Sequence, residues 1–468
     1  MTARTFTMGT HLEPGTFNFI TPTQHEPITT HRKKAPKFRH DHSPTVKIVS
    51  PARPPVGDSR PVMNVPPEVL VEIMAHGSQK DKLAWMLVGR KFVDPAERAL
   101  WRTCGRSGFL KLSRMSDEGR DRLVKMIKHL QIGDDPLSLS HGSWRHRSYT
   151  VQRGVYPDHI SMTPASWLTH HRLRSFMALT GSVRNSAIDD VLTALKQASA
   201  LEVFQIDHHI ERNTADVLPQ LLDCLPRLRI FEARYVGSGK LLPHLAMLSA
   251  LESVSLGGTL DHETVNRALE KPDAFKKLQA LEIAPVVDVA ADLLQHLPRL
   301  KELKIAFKRN LTLSDQDREN ATTSNLQAIG ALSTLSLLNL NFASFNLANE
   351  LKPLEQLSSL RKLKLVVQPH HESHVPRDYV TKDVIEALRL LPLEEFRTDR
   401  SFRNEELISF GRACPRLRFL HFCHWDEPDS FDASLPPMFL ALEHLQIDWL
   451  FLDGNFRFRY TATLDSHD

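Results

Sequence analysis

The chain has 468 residues, of which 41% are apolar and 24% are charged, and its formal net charge is +4. This composition is typical of a water-soluble protein with a hydrophobic core, and the length allows two or three domains or one elongated repeat array. No apolar run approaches the roughly 20 residues that span a bilayer, and the N-terminus lacks the apolar stretch of a secretory signal, so we expect no membrane segment.

The four cysteines are Cys104, Cys224, Cys414 and Cys423. So few thiols in a chain this long are typical of a reducing compartment. We therefore expect a cytoplasmic or nuclear protein, or one found in both compartments. The mild positive charge does not indicate a nucleic-acid partner. The basic stretch 31–37 is compatible with nuclear import, but a solvated disordered tail is the favoured interpretation.

Residues 1–60 are rich in proline, threonine, histidine and basic residues without sustained periodicity. Such a segment buries too little apolar surface to offset its chain entropy, so we predict a disordered N-terminal tail.

Three short helices are predicted between residues 62 and 104. The first begins at Pro66 and ends near Gly77. The second begins after Ser78 as N-cap, and the third after Asp94, with Pro95 at its first position. Each helix has one apolar stripe, so the three must share a small core, and such a core is marginal without a partner surface.

The rest of the chain repeats a six-residue pattern, apolar-x-x-apolar-x-apolar. Neighbouring copies are separated by about 22 to 35 residues, a spacing that overlaps and exceeds the leucine-rich range. We find it at 201–206, 251–256, 278–283, 300–305, 335–340, 360–365, 417–422 and 442–447, with weaker copies at 127–132, 173–178, 228–233 and 393–398.

Helical stretches are predicted between these copies, at 189–197, 214–225, 241–248, 290–297, 349–356, 382–391 and 405–413. Repeated strand–helix units bury their faces only by stacking, which predicts an α/β solenoid with a curved parallel sheet and outer helices. An ordinary doubly wound α/β domain is the alternative. We place the connecting segment and first irregular repeats at 105–170, the solenoid at 171–450, protruding loops at 306–334 and 366–392, and a C-terminal tail at 451–468.

The helical module resembles the F-box. Residues 65–74, VPPEVLVEIM, are similar to its opening LPxE(I/V)LxxIF; residues 83–92 are similar to its centre LLxxxLVCRxW, and 100–102 to its close LWR. The repeats that follow resemble those of leucine-rich F-box proteins. The sequence departs from the family pattern at Gly77, where a large apolar residue is usual, and at Gly89 and Phe92, which stand in place of cysteine and tryptophan.

This resemblance implies a non-catalytic substrate-recognition subunit of an SCF-type ubiquitin ligase. The F-box would bind a Skp1-type adaptor and through it a cullin–RING ligase, and the repeats would bind an unknown protein substrate. The implied adaptor-binding residues, which could instead pack internally, are Pro66, Leu70, Ile73, Leu83, Val88, Leu100 and Trp101. Gly77 predicts looser packing of the first helix. A ligase-independent interaction scaffold with a degenerate F-box is therefore the alternative.

Strand alternation predicts which side chains face away from the core. The first row is Gln205, Glu232, Ser255, Glu282, Lys304, Asn339, Lys364, Arg397, His421 and Gln446, and the second row includes Ser253, Glu302, Lys362, Glu395, Phe419 and His444. The C-terminal half is basic and aromatic, so we predict that it binds an acidic or phosphorylated segment of the substrate. A charged face that only keeps the array soluble is the alternative. The predicted substrate-binding residues are Lys304, Lys362, Lys364, Arg397, Phe419, His421 and His444.

No motif indicates catalysis, a cofactor or a metal. The run 370–374, HHESH, has the wrong spacing for a zinc helix, and His421, Cys423 and His424 lack a fourth ligand. A glycine-rich phosphate loop, a nucleophile elbow and a carboxylate pair are all absent from the sequence. A nucleic-acid-binding solenoid is a third possibility, and the mild charge argues against it.

Overall fold

The computed structural model describes residues 65–463, apart from 106–107, 109–110, 113–114, 133–171, 179–190, 207–216, 234–239, 272, 287–288, 308–313, 343–350, 368–378, 426–438 and 453–455. The predicted N-terminal tail, residues 1–60, lies outside the described residues, as does most of the segment predicted to connect the module to the solenoid. The helical module and the sheet that follows it belong to the same compact unit.

Three helices open the described chain: α1 (Pro67–Ala75), α2 (Gln79–Val88) and α3 (Arg90–Trp101). The predicted cap of α2 is confirmed. The Ser78 hydroxyl accepts from the Asp81 amide at 3.2 Å, and the Ser78 amide donates to the Asp81 carboxylate at 2.9 Å. Two of the N–H groups that a helix start leaves unpaired are satisfied in this way.

The predicted start of α3 is wrong. The helix begins at Arg90, so Pro95 lies inside it and is buried, and Asp94 forms an ion pair with Arg98 at 3.0 Å instead of capping. A proline in a helix interior removes one backbone hydrogen bond. Packing explains the earlier start, because Phe92, in the first turn of α3, lies against the module core.

The repeats form one sheet of fifteen strands: β1 (Thr103–Cys104), β2 (His129–Ile132), β3 (Ser175–Ala178), β4 (Val203–Ile206), β5 (Ile230–Ala233), β6 (Ser253–Leu260), β7 (Ala280–Pro285), β8 (Glu302–Ala306), β9 (Leu337–Phe342), β10 (Lys362–Val367), β11 (Glu395–Thr398), β12 (Ser401–Phe402), β13 (Phe419–Trp425), β14 (His444–Leu452) and β15 (Phe456–Thr463). Strands β1 to β11, β13 and β14 follow one another in chain order, all parallel. Each of the twelve sequence repeats overlaps one of these strands. The chain is thus an α/β protein with stacked, solenoid-like units.

Helices or helical turns join most strands and pack beside one another along the array. The predicted helices are confirmed at Val217–Asp223, Leu242–Ala246, Ala290–Gln295, Lys382–Leu388 and Asn404–Ala413, and the predicted helix at 349–356 is a short 3-10 segment, Lys352–Gln356. Helix His262–Leu269 was not predicted.

The predicted loop at 306–334 is wrong. It contains the 16-residue helix Asp315–Gly330, capped by Ser314, whose hydroxyl accepts from the Asp317 amide at 3.1 Å. Leu326 and Ile329 on this helix are fully buried in the common core. The predicted loop at 366–392 holds helix Lys382–Leu388, and residues 368–378 lie outside the described chain.

One continuous core runs along the array between the sheet and the helices. The apolar positions of the sequence repeat are buried, as predicted, wherever the structure describes their side chains, apart from Leu445 on β14, which is half-buried. They alternate with half-buried positions on the opposite face. In the N-terminal strands the second apolar position forms a stack of phenylalanines. Ring centroids are 5.7 Å apart between Phe176 and Phe204 and 5.5 Å apart between Phe204 and Phe231.

A charge ladder lies where the strands begin. The residue after the first apolar position of each unit donates its amide N–H to the carbonyl of the equivalent residue one unit before, over 2.7–2.9 Å. Side chains in this ladder form ion pairs between neighbouring units: Arg174 with Glu202, Arg229 with Glu252, Arg361 with Glu394, and Arg418 with Glu443. The residues of the ladder, in chain order, are Lys128, Arg174, Glu202, Arg229, Glu252, Gln279, Lys301, Ser336, Arg361, Glu394, Arg418 and Glu443.

The segment predicted as a C-terminal tail, 451–468, contains a strand, so that prediction is wrong. Strand β15 pairs with β14 in antiparallel register, from His444 opposite Thr463 to Leu452 opposite Phe456. The sequence of β15, FRFRYTAT, alternates aromatic and polar residues with high strand propensity. That alternation was the signal for this strand. It has a period of two and lacks the leucine spacing of the repeats.

Candidate functional site

The helical module exposes an unusual share of large apolar side chains. Nine such side chains are exposed in the described part of the chain, and five of them are within residues 69–88. Val69 and Ile73 are four residues apart on α1, and Leu83 and Leu87 are four apart on α2, so each pair forms a stripe along its helix. With Val88, these five residues are called the apolar stripes. Leu87 is 88% exposed and Val88 69%.

A small core beneath the stripes holds the three helices together. Met74, Ala96 and Ala99 are buried, and Trp85 and Phe92 are among the half-buried residues packed around them. An ion pair of 2.6 Å between Arg102 and Glu72 links the end of α3 to α1. This hydrogen bond with Arg102 is the main reason that the pKa of the Glu72 carboxyl is lowered.

Gly77 leaves no void, contrary to the prediction of looser packing. A Cβ atom on Gly77 would lie 2.9 Å from Cη2 and 3.1 Å from Cζ3 of Trp85. The indole ring therefore occupies the space that a larger side chain at residue 77 would take. Gly89 has open space around it, with Phe92 Cδ2 as the nearest atom at 4.0 Å.

The predicted adaptor-binding residues fall into two groups. Pro66, Ile73, Leu83 and Val88 are exposed, while Leu70, Leu100 and Trp101 are half-buried. Trp101 packs against the main core of the array and so joins the module to the sheet. Val69 and Leu87 are exposed but were not among the predicted contacts. No sequence signal separates them from core residues, because both fit the apolar periodicity of their helices.

The open face of the sheet is the second candidate surface. The strand register aligns the first row as predicted, with Lys304 opposite Asn339, Asn339 opposite Lys364, Lys364 opposite Arg397, and Arg397 opposite His421. The second row is aligned in the same way, from Lys362 through Glu395 and Phe419 to His444. Six of the seven predicted substrate-binding residues thus lie on four successive strands of the main sheet path, β10, β11, β13 and β14, and Lys304 lies two strands away on β8.

Three of the four predicted basic residues have acidic partners on the same face. Lys304 Nζ lies 3.4 Å from the Glu282 carboxylate, and Lys362 Nζ lies 3.5 Å from Glu395. Arg397 also forms an ion pair with Glu395. These partners are supplied by the register itself, since each carboxylate lies on the adjacent strand or on the same strand.

Lys364 is a half-buried cation of the row. Burial lowers the pKa of its ammonium group, and the positive charges of Arg397 and Lys304 lower it further, while Asp399 opposes them. Lys364 therefore lies in a partly desolvated position between two other cations of the same row.

Aromatic groups adjoin the basic residues. The Arg397 guanidinium lies over the Phe419 ring with its Cζ 4.4 Å from the ring centroid, a cation–π contact. The Phe419 and His444 ring centroids are 6.0 Å apart. His421 Nε2 lies 3.2 Å from Oδ1 of the buried Asp448. The sheet face thus combines cations with a small aromatic surface.

Other chemistry has little support in the described part of the chain. No group of three His, Cys, Asp or Glu side chains there could hold a metal ion, and the HHESH run at 370–374 lies outside the described residues. Burial raises the pKa of the Cys104 and Cys414 thiols to about 12. Among the described helices, none has the length and apolar character to cross a bilayer.

No protein-family model matches the chain, and the curated proteins contain no significantly similar sequence.

Proposed function

We propose that this chain is a leucine-rich-repeat F-box protein, the substrate-recognition subunit of an SCF-type ubiquitin ligase. In this proposal the apolar stripes of α1 and α2 bind the Skp1-type adaptor, and the open sheet face binds the protein to be ubiquitinated. The chain itself carries out no chemistry. Its role is to raise the local concentration of substrate beside the conjugating enzyme.

The single observation that carries the proposal is the exposure of the apolar stripes. Burying a leucine or valine side chain fully is worth roughly 1.5–3 kcal/mol, and Leu87 and Val88 are among the most exposed apolar side chains described. Clustered apolar exposure on a folded protein marks an interaction surface. The resemblance of residues 65–102 to the F-box assigns the partner.

The connection between module and sheet supports the same assignment. Trp101 packs against the core of the array, and β1 follows α3 directly. A partner bound to the stripes is therefore held at the first strands of the sheet, while the predicted substrate residues lie on β8, β10, β11, β13 and β14. The two surfaces use different residues and can be tested separately.

The test is co-purification of the full chain with a recombinant Skp1-type adaptor. We compare the wild-type chain with Leu87→Asp and Val88→Asp, each of which places a charge in the apolar stripes. Leu390→Asp is the matched control, because Leu390 is 66% exposed and lies outside the module. Thermal melting of every variant checks that the chain remains folded.

We expect the wild-type chain and the control to bind the adaptor, and each stripe variant to bind at least about 100-fold more weakly, since buried charge at an interface costs several kcal/mol. If the folded wild-type chain does not bind the adaptor, the ligase assignment is wrong and the interaction scaffold takes its place. If Leu390→Asp weakened adaptor binding as much as Leu87→Asp and Val88→Asp do, the apolar stripes would not be the docking surface.

A further inference from the structure

We propose that Lys304, Lys364 and Arg397 bind an anionic side chain, a carboxylate or a phosphate, of the protein captured on the sheet face, with Phe419 as an adjoining stacking surface. This inference rests on the proposed function in one respect: it takes the bound protein to be the substrate. The binding chemistry itself does not depend on the adaptor.

The register places the three cations along one line across the sheet. Lys364 and Arg397 are direct neighbours on β10 and β11, and Lys304 on β8 is separated from Lys364 only by Asn339. Adjacent strands are about 4.8 Å apart. The backbone positions of the three cationic residues are therefore close enough for their long side chains to reach a single anionic group. Asn339, between Lys304 and Lys364, offers its side-chain amide as a further donor.

The acidic partners of these cations leave donors free for a ligand. Lys304 and Lys362 are about half exposed, and their contacts with the less exposed Glu282 and Glu395 are 3.4 and 3.5 Å long. Each lysine ammonium group has three N–H donors, so it can bind an incoming anion while it keeps its contact with the glutamate. Arg397 can also donate from guanidinium N–H groups other than Nε, the atom that contacts Glu395.

Lys364 gives the row its preference for a negative charge. It is half-buried and lies near two cations, and these together with burial lower the pKa of its ammonium group. An anion bound beside it reverses these effects, because an opposite charge stabilises the protonated form. Ligand binding and protonation of Lys364 are therefore linked, and the ligand gains from a charge that the folded chain only partly compensates.

The N-terminal half of the same face has the opposite character. There the first row carries Glu232 and Glu282, and the neighbouring second row carries the half-buried apolar residues Val203, Ile230 and Ala280. An anionic group is repelled from this half and attracted to β8, β10 and β11. The bound segment is thus oriented, with its negative charge over the C-terminal half of the array.

The experiment uses the folded full chain without adaptor and four pools of short synthetic peptides. The pools have randomised flanks and a fixed central residue, which is glutamate, phosphoserine, serine or lysine. Peptides retained by the immobilised chain are quantified by mass spectrometry. The variants are Lys364→Gln and Lys304→Gln, and the control is Lys276→Gln, which removes an exposed lysine paired with Asp273 away from the sheet face.

We expect the glutamate or phosphoserine pool to be retained about tenfold more than the serine pool. This excess should fall severalfold in Lys364→Gln and should be unchanged in Lys276→Gln. Retention of both anionic pools indicates general anion binding, and retention of the phosphoserine pool alone identifies phosphate as the ligand.

The proposal is overturned if the serine pool is retained as strongly as the anionic pools, or if the lysine pool is preferred. It is also overturned if Lys276→Gln loses as much retention of the anionic pools as Lys364→Gln does. If Lys364→Gln melts at a lower temperature than wild type, Lys304→Gln replaces it as the deciding variant. Because the adaptor is absent, failure here leaves the adaptor test untouched, and failure of the adaptor test leaves this result standing.

Discussion

Gly330 ends the longest of the described helices at a close contact that tolerates no side chain. A Cβ atom there would lie 2.3 Å from the carbonyl oxygen of Pro353, whereas real Cβ contacts are essentially never under 3.0 Å. In Gly330→Ala, helix Asp315–Gly330 and the 3-10 segment Lys352–Gln356 must therefore move apart by about 0.7 Å in a closely packed region.

The two effects of this substitution have opposite signs. Overpacking costs roughly 1–3 kcal/mol, and replacing glycine by alanine in a helix returns up to about 1 kcal/mol. We expect a net loss of about 1–2 kcal/mol in local stability. Because stacked units can unfold separately, the suitable measurement is amide hydrogen exchange of peptides covering residues 315–330 and 352–356.

Exchange in these peptides should become about 5–30-fold faster, the factor that corresponds to 1–2 kcal/mol. Gly105→Ala is the matched control, since nothing lies within 4 Å of a Cβ atom on Gly105. Unchanged exchange in Gly330→Ala, or equal acceleration in Gly105→Ala, would refute the steric argument.

Three further predictions concern charges and thiols. Cys104 and Cys414 should resist alkylation at pH 8 in the folded chain and react on unfolding, because their thiol pKa is raised to about 12. Asp261 caps a helix, and its hydrogen bonds with Thr264 lower the pKa of its carboxyl from the usual 3.8. The contribution of the ionised cap to stability is therefore complete above pH 3.8 and is lost as the pH falls through the lowered pKa. In Asp261→Asn, the free energy of unfolding measured in urea should depend less on pH in this acidic range. Charge reversal in Arg229→Glu should lower the free energy of unfolding slightly, and adding Glu252→Arg should restore much of the loss.

Each of these predictions has an internal comparison. The partly exposed Cys224 and Cys423 serve as reference thiols, and reaction of all four thiols at equal rates in the folded chain would contradict the burial argument. If the free energy of unfolding had the same pH dependence in wild type and in Asp261→Asn, the Asp261 cap would not be the cause of that dependence. A double charge reversal no more stable than the single variant would show that the ladder pair contributes nothing.

The strands were predictable because the signal that specifies them is periodic and local. Leucines at fixed spacing mark the buried positions, and the parallel register then aligns equivalent positions of successive repeats. For this reason the sequence alone located the first row of the sheet face residue by residue. The charge pattern of the row was equally visible, although the ion pairs that partly neutralise it depend on side-chain geometry.

The failures came from elements outside the repeat pattern. Helix Asp315–Gly330 begins with polar residues, and its buried residues are concentrated in its second half, so a loop was the natural interpretation. The start of α3 was misplaced because Asp94 and Pro95 match a helix N-terminus, whereas packing of Phe92 extends the helix by more than a turn.

For the helical module, sequence periodicity could identify apolar residues but could not distinguish core from surface. Val69 and Met74 both fit the apolar periodicity of the first helix, yet Val69 is exposed and Met74 is buried. The difference arises from the small number of residues that three short helices can enclose. Likewise, only the structure shows that the Trp85 ring fills the space beside Gly77.

The antiparallel pairing of β15 has a consequence for self-association. A parallel sheet built from repeated units offers, at its last strand, a backbone edge onto which a strand from a second copy could add. Strand β15 occupies that edge of β14 and reverses the chain direction there. A further parallel repeat therefore finds no free edge on β14, and a strand that adds to this end of the sheet has to pair with β15 instead.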